Sequence, residues 1–224
     1  MKDRPLADRQ YVIDAMSAQD SWRMFRIMAE FVDGFEHLGA RQPAVSIFGS
    51  ARAKAGDREY ELAERLGRLL VQRGYSVITG GGPGIMEAAN KGASEAGGHS
   101  VGLNIDLPFE QRPNPYANLQ INFRYFFVRK VMFVKYALAY IVMPGGFGTL
   151  DEMSEAITLI QTQKIKPFPV ILMVREYWEG LFRWFRETLL QQEKISPSDL
   201  EILQITDDPE EAVAIVDRFH RIIA

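Results

Sequence analysis

The sequence contains no cysteine, which excludes disulfide bonds and thiolate metal sites and fits a reducing compartment. Histidine is also scarce. His37, His99 and His220 are scattered along the chain without the spacing of a metal-binding motif. We therefore expect no metal site.

Long uncharged apolar runs are missing as well. The most apolar stretch, residues 123–143, includes four cations, so it is a poor membrane span. The first ten residues, "MKDRPLADRQ", are polar and lack the apolar segment of a secretory signal. A formal net charge of −3 gives no electrostatic reason to expect nucleic acid as the main partner. Together these absences predict a soluble, cytoplasmic protein that binds neither membranes nor nucleic acid.

What the sequence does contain is an alternation of short apolar runs and segments with helical periodicity. At 224 residues, with 47% hydrophobic residues, the chain fits one α/β domain with a sizeable core. The strand-like runs are "AVSIF", "YSVIT", "HSVGLNI", "LQINF", "AYIVM", "FPVILM" and "EILQIT". Helical patterns lie near residues 57–73, 84–97, 126–138, 149–163, 176–192 and 209–223. Nearly continuous apolar strands between helices predict a Rossmann-like, doubly wound parallel sheet of about seven strands.

The amino-terminal region differs from this pattern. Residues 1–16 show no clear period, whereas residues 17–38 repeat apolar side chains at spacings of three and four, as a helix does. The residues of this stripe are Trp22, Phe25, Ala29, Val32 and Phe35. We therefore predict an amino-terminal helical extension over residues 1–43 and a Rossmann-like domain over residues 44–224.

Three glycine-rich turns fall where strands are predicted to end: "FGSAR" at 48–52, "TGGGPGIMEAAN" at 79–90 and "PGGFGTLDE" at 144–152. In doubly wound sheets, ligands bind at the carboxyl ends of the strands, and glycine lets a ligand approach the backbone closely. Free N–H groups at the start of the next helix favour an anion such as phosphate. One such loop alone is better explained as a tight turn, but three together predict a nucleotide or sugar-phosphate site. The dinucleotide fingerprint, the P-loop, the G-x-S-x-G elbow and H-E-x-x-H are all absent.

The motifs "GGGPGIMEAAN", "RKVMF" at 129–133 and "PGGFGTLDE" resemble those of the Lonely Guy (LOG) family, whose P-G-G-x-G-T-x-x-E pattern is preceded by R-K-x-x-M. The resemblance covers residues 44 to about 216. Family members are cytokinin-activating phosphoribohydrolases, long mislabelled as lysine decarboxylases. The resemblance implies a cofactor-free hydrolase that splits AMP, or an N6-prenyl derivative of AMP, into the base and ribose 5-phosphate. A lysine decarboxylase would need a lysine that binds pyridoxal phosphate, and nothing around Lys130 or Lys135 marks one.

The resemblance also implies the catalytic residues, a glutamate at Glu152 and an arginine at Arg129. A carboxylate beside C1′ stabilises an oxocarbenium-like transition state and acts as nucleophile or as base toward water. Spacing alone favours another role, because Thr149 and Glu152 match a capping box, in which both side chains bind backbone N–H groups. Arg129 is expected to orient the substrate or to assist departure of the base. On a helix Asp151 points about 100° away from Glu152, so we expect it to support the site from outside.

The remaining predicted substrate-binding residues surround this pair. The phosphate is expected to contact backbone N–H groups and one hydroxyl of Gly145, Gly146, Gly148 and Thr149. The rest of the pocket is expected to involve Gly81, Gly82, Gly84, Glu87, Lys130, Met132 and Ser50. An ordinary solvated glutamate explains Glu87 equally well, and core packing explains Met132 equally well.

A second function class stays open at this point. It is a non-catalytic protein on the same fold, either a nucleotide sensor or a carrier of the molybdenum-cofactor type. The presence of both Arg129 and Glu152 favours the enzyme, because a pure binding protein needs no carboxylate beside C1′. Members of the family generally form dimers or larger assemblies, so the resemblance also implies a homodimer or higher homo-oligomer.

Overall fold

The computed structural model describes residues 20–39, 43–107 and 112–223. Residues 1–16, for which the sequence shows no clear period, lie outside the described residues.

Seven parallel strands form one sheet in the described part of the chain. The strands are β1 (Ala44–Phe48), β2 (Ser76–Thr79), β3 (Ser100–Ile105), β4 (Leu119–Phe123), β5 (Ala137–Val142), β6 (Val170–Met173) and β7 (Leu203–Thr206). Their order is β4-β3-β2-β1-β5-β6-β7, and every neighbouring pair is parallel. Strands β2, β3 and β4 follow one another on one side of β1, whereas β5, β6 and β7 follow one another on its other side. This confirms the predicted doubly wound sheet and puts its switch point between β1 and β5.

In the described residues no helix lies between β3 and β4, but helices connect the other strands, precede β1 and follow β7, as the periodicity predicts. They are α1 (Asp20–Leu38), α2 (Arg58–Gln72), α3 (Ile85–Glu95), α4 (Phe126–Tyr136), α5 (Phe147–Gln161), α6 (Arg175–Trp184), α7 (Pro197–Leu200) and α8 (Pro209–Ile223). The pattern did not predict α7, because a single turn is too short to show a period. Helix α6 also continues into a π-helical segment, Phe185–Leu190. None of the described helices has both the length and the apolar character needed to cross a membrane.

The helices cover both faces of the sheet, which explains why its strands are apolar on both faces. On one face, α1, α4, α5 and α6 pack over strand residues such as Phe48 and Tyr140, and Trp178 of α6 is buried there. On the other face, α2, α3 and α8 pack over residues such as Val45 and Ile141. The two cores hold the carboxyl ends of the central strands in a fixed arrangement.

Helix α1 packs on α4 and fixes its amino end. The α1 carboxylate of Glu30 accepts hydrogen bonds from the backbone N–H groups of Arg124 (3.1 Å) and Tyr125 (3.3 Å), just before α4 begins. Gly34 lies directly over Met132 of α4, since a Cβ there would be 2.7 Å from the methionine sulfur. The extension therefore supports the helix that carries the "RKVMF" motif.

The apolar stripe that predicts α1 is its exposed face. Trp22 is 68% exposed and Phe25 is 62% exposed. The inward side chains belong to a second apolar stripe, which includes Ile27, Phe31 and Leu38. Both faces of α1 are thus apolar, so periodicity establishes the helix without showing which face is buried.

Candidate active site

The three glycine-rich turns meet at the switch point of the sheet. The backbone N–H of Ser50, after β1, donates to the carbonyl of Pro144, after β5 (2.9 Å). The N–H of Ile85, at the start of α3, donates to the carbonyl of Ser50 (3.0 Å). Gly84 has a φ of +71°, and a Cβ there would lie 2.3 Å from the Ser50 carbonyl oxygen. Only glycine fits this position, so the close approach of the loops after β1 and β2 depends on it.

The predicted phosphate cradle forms the amino end of α5. Gly145 is buried, and a Cβ at this residue would lie 2.1 Å from Oγ1 of Thr149. Gly146 and Gly148 are exposed, and a Cβ at either would meet no atom within 4 Å. The first N–H groups of a helix have no acceptor within it, so this open surface is suited to an anion. The Tyr177 hydroxyl of α6 donates to the Gly145 carbonyl (2.7 Å) and braces the loop from behind.

Glu152 lies on the second turn of α5 and is not part of a capping box. The helix begins at Phe147 with Gly146 as its N-cap residue, and no side chain makes a capping hydrogen bond there. The Thr149–Glu152 capping box suggested by the spacing is therefore wrong, because the helix starts earlier than that box requires. Glu152 is instead 5% exposed, and its Oε2 has no hydrogen-bond partner among the described residues.

Burial makes Glu152 an unusual acid. Loss of water raises the pKa of its carboxyl to about 7, although the positive charges of Lys130 and Arg129 oppose the shift. A shift of this size and cause is typical of acid–base groups in active sites. Beneath it, Tyr140 of β5 is fully buried, and the charges of Glu152 and Glu155 help to raise its pKa.

Arg129 on α4 faces Glu152 across the site. Its Nη2 lies 4.0 Å from Glu152 Oε1, and both side chains are almost buried. The guanidinium also packs against the Phe126 and Phe133 rings, at 5.1 and 5.7 Å from their centroids. Burial lowers the pKa of Arg129, which the negative charges of Glu152 and Asp151 partly offset. Its Nε lacks a partner in the described structure. The structure thus brings the two predicted catalytic side chains together and leaves polar atoms of both unsatisfied.

Lys130, the next residue on α4, is paired with two carboxylates of α5. Its Nζ lies 2.9 Å from Oδ2 of Asp151 and 3.0 Å from Oε2 of Glu155. Burial lowers the pKa of Lys130, but these two hydrogen-bonded carboxylates raise it more, above its ordinary value. A substrate contact by Lys130 and a supporting role for Asp151 stay predictions.

Three other predicted substrate contacts have structural partners. Met132 is fully buried beneath α1, so the structure gives it a packing role. Glu87, in the first turn of α3, accepts a hydrogen bond from the Tyr60 hydroxyl (3.1 Å). Ser50 lies in the loop after β1, where its Oγ accepts from the N–H of Arg52 (3.1 Å).

A buried amide network shapes the loop that contains Gly81 and Gly82. The N–H of Asn114 donates to the Gly81 carbonyl (2.8 Å), and its side-chain amide donates to the Gly82 carbonyl (3.0 Å) and to Asn90 (3.0 Å). The Thr79 hydroxyl also donates to Asn90 (2.6 Å). Asn114 and Asn90 were not predicted to belong to this region. Both are polar residues near glycine turns, and a single sequence cannot show that such residues are buried and not exposed.

The fold and this site define a Rossmann-like α/β protein with three converging glycine turns and a buried arginine–glutamate pair. A family model described as "Possible lysine decarboxylase" matches residues 86–216, more than half of the chain. The chain belongs to this family, which is the LOG family that the sequence motifs resemble.

Curated relatives of the chain include named nucleotide hydrolases. It is 28% identical over 177 residues to the cytokinin riboside 5′-monophosphate phosphoribohydrolase LOG3 of Arabidopsis thaliana, covering 76% of this chain and 80% of that protein. It is 32% identical over 148 residues to the pyrimidine/purine nucleotide 5′-monophosphate nucleosidase of Escherichia coli, covering 61% of this chain. The chain spans only 32% of that second protein's length.

Among solved structures, the chain is similar to the molybdenum cofactor binding protein of Rippkaea orientalis. The identity is 25%, the TM-score is 0.58, and the match covers 83% of this chain and 99% of that one. The similarity confirms the fold class and leaves more than one function compatible with it.

The lysines do not fit the chemistry that the family description suggests. A pyridoxal phosphate enzyme needs a lysine amine free to form a Schiff base. Lys130 is paired with two carboxylates, and exposed Lys135 packs near the Phe35 and Tyr136 rings. Among the described residues, no group of three or more His, Asp or Glu side chains is arranged to hold a metal ion.

Proposed function

We propose that the protein hydrolyses the N-glycosidic bond of nucleoside 5′-monophosphates, releasing the free base and ribose 5-phosphate. The observation that carries this proposal is the buried carboxylate of Glu152, with a pKa of about 7, facing Arg129 at 4.0 Å. A carboxylate held without water has no evident structural purpose here, because it caps no helix and its burial is costly. The named hydrolases among the relatives support the same conclusion.

The reaction assigns a separate task to each part of the site. The phosphate binds at the amino end of α5, at Gly146, Gly148 and Thr149. The ribose then lies beside Glu152, whose negative charge stabilises positive charge that develops as the C1′–N bond breaks. The electron pair of that bond leaves with the base, a water oxygen bonds to C1′, and a water proton is ultimately transferred to the base. Glu152 acts as nucleophile toward C1′ or as base toward the water, and Arg129 orients the substrate or stabilises the departing base.

Charge balance supports the pairing of an anionic substrate with an acidic catalyst. A phosphate and the Glu152 carboxylate repel each other in a site that contains little water. Arg129 supplies compensating positive charge, and Lys130, although paired with Asp151 and Glu155, also lowers the pKa of Glu152. We propose adenine nucleotides as substrates, either AMP or its N6-prenyl derivative, because the family resemblance and the Arabidopsis relative point to them.

The test is to incubate the protein with AMP and with N6-isopentenyl-AMP, and to separate free base from nucleotide by chromatography. We expect base release from at least one substrate, and loss of release in Glu152→Gln. Glu179→Gln is the matched control, because this carboxylate is exposed on α6. Equal release by the parent protein and Glu152→Gln would contradict the assignment of Glu152.

A second candidate function is a non-catalytic carrier of a phosphate-bearing cofactor. Its specific support is the similarity over 83% of the chain to a structure described as a molybdenum cofactor binding protein. A carrier would bind its ligand without releasing base from any nucleotide. Base release by the parent protein therefore separates the two functions, because Glu152→Gln is expected to bind its ligand in either case.

We also propose that the protein forms a homodimer or higher homo-oligomer. A groove of about 1020 Å³ runs between α4, α5 and α8, with apolar lining residues that include Val131, Leu159 and Ile222. Exposed Trp22 and Phe25 extend the apolar surface along α1. Light scattering of the purified protein tests this proposal, and a monomer at micromolar concentration would contradict it.

A further inference from the structure

Asn104 is a buried polar residue at the carboxyl end of β3. Its side chain is 8% exposed and lies against the Gly81 loop. A Cβ on Gly81 would be only 2.0 Å from Oδ1 of Asn104, so glycine is needed there to make room for the amide. The Nδ2 group of Asn104 has no hydrogen-bond partner among residues 20–39, 43–107 and 112–223. A buried donor left unpaired is costly, so its retention calls for an explanation.

The neighbouring amides show that an unpaired donor is not a general feature of this region. Asn90 donates through Nδ2 to the Ser100 hydroxyl (2.8 Å) and to the Val101 carbonyl (3.2 Å). Asn114 donates through Nδ2 to the Gly82 carbonyl (3.0 Å). Both residues brace the glycine loop with their donors satisfied. A bracing role for Asn104 alone does not account for its unused N–H groups.

The backbone beside Asn104 contacts Arg129. The residue before it, Leu103, offers its carbonyl to Nη1 of Arg129 (3.5 Å). Arg129 in turn faces Glu152 at 4.0 Å. Atoms of all three polar side chains are buried without partners: Nδ2 of Asn104, Nε of Arg129 and Oε2 of Glu152. A ligand bound at the carboxyl edge of the sheet would pair with these unsatisfied groups.

The sheet order indicates which part of the substrate Asn104 meets. The phosphate cradle follows β5, whereas Asn104 ends β3, three strand spacings away in the order β3-β2-β1-β5. At about 4.8 Å per spacing, this separation is about 14 Å. Arg129 and Glu152 lie between the two ends, where the scissile bond belongs. A nucleotide with its phosphate on α5 therefore extends its base toward β3.

We propose that Asn104 is a specificity residue whose side-chain amide donates a hydrogen bond to an acceptor atom of the departing base. The proposal rests on the nucleotide-hydrolase function proposed above. Side-chain amides pair well with purine edges, because the amide offers a donor and an acceptor side by side. A substrate without a base, such as ribose 5-phosphate, gains nothing from this residue.

The test measures dissociation constants for AMP and for ribose 5-phosphate by calorimetry, in a Glu152→Gln background that prevents turnover. Asn104→Asp keeps the shape of the side chain but replaces the donor by an acceptor, and Asn104→Leu removes both groups. The matched control is Asn122→Asp, because Asn122 is paired with Asn104 in register on β4 but is exposed. Thermal unfolding shows whether each variant is folded.

We expect Asn104→Asp to raise the dissociation constant for AMP by about tenfold or more, while that for ribose 5-phosphate changes by less than about twofold. Asn122→Asp should change neither constant by more than about twofold. Equal weakening of both ligands would overturn the proposal in favour of a ribose or loop contact, and so would no change for either. Binding of AMP without base release by the parent protein would refute the hydrolase function. The Asn104 variants would then still show whether this residue contacts the base. Failure of AMP to bind at all would refute both.

Discussion

Replacement of Glu152 by glutamine should stabilise the protein at alkaline pH while it abolishes activity. Burial raises the pKa of Glu152 from 4.5 to about 7, so ionisation of this carboxyl is less favourable in the folded state than in the unfolded chain. Below the pKa of the unfolded chain, Glu152 is protonated in both states and has no effect on stability. The free energy of unfolding falls as the pH rises from the pKa of the unfolded chain to the pKa of the folded state, and the full loss is present above the folded-state pKa. At 1.36 kcal/mol for each pKa unit, the full loss is about 3 kcal/mol in the free energy of unfolding.

Glutamine has nearly the shape of a protonated glutamate and never ionises, so it avoids this loss. Chemical denaturation at pH 5 and pH 8 should show that the stability advantage of Glu152→Gln grows by about 2 kcal/mol between the two values. Glu179→Gln, an exposed change on α6, should alter the free energy of unfolding by less than about 0.5 kcal/mol at either pH. An advantage for Glu152→Gln that does not depend on pH would refute the reasoning, and so would lower stability of the variant at pH 8.

Three further outcomes follow from the geometry of the site. Lys130→Met removes a charge that lowers the pKa of Glu152, so the acid limb of the pH profile of kcat/KM should move up by about one unit; an unmoved limb would contradict this. Tyr177→Phe removes the hydrogen bond to the Gly145 carbonyl, so KM for AMP should rise several-fold with little change in the melting temperature. Gly145→Ala should lower the melting temperature, because its Cβ would lie 2.1 Å from a neighbouring hydroxyl oxygen, whereas Gly146→Ala should leave it unchanged. Equal melting temperatures for the two alanine variants would show that the loop is not packed as described.

The fold was largely predictable because both of its periodic signals are strong. Strands buried on both faces form continuous apolar runs, and the helices between them repeat apolar residues at spacings of three and four. The seven strands were therefore identified correctly. Helix α1 shows the limit of this signal. Both of its faces are apolar, so only the contacts with α4 reveal that Phe31 is partly buried and Leu38 is buried while Trp22 is exposed.

From the sequence, the site could be predicted only for residues that belong to a continuous motif. The resemblance identified Arg129 and Glu152, and the structure places them 4.0 Å apart. Spacing alone suggested a capping box for Glu152, because it cannot show that the helix already begins at Phe147. Asn104 and Tyr177 were missed because they reach the site from a distant strand and helix. Their importance depends on burial and hydrogen bonding, which a single sequence does not encode locally.

The most direct test of the central claim is the rate of base release from AMP at pH 8, compared between the parent protein and Glu152→Gln. At this pH Glu152 is mostly ionised, so the parent protein should be near its maximal activity. We expect ribose 5-phosphate and adenine to form in equal amounts. The Glu152→Gln variant should have a kcat lower by about a hundredfold or more. A glutamine variant that retains more than about a tenth of the parent activity would contradict the catalytic role of Glu152.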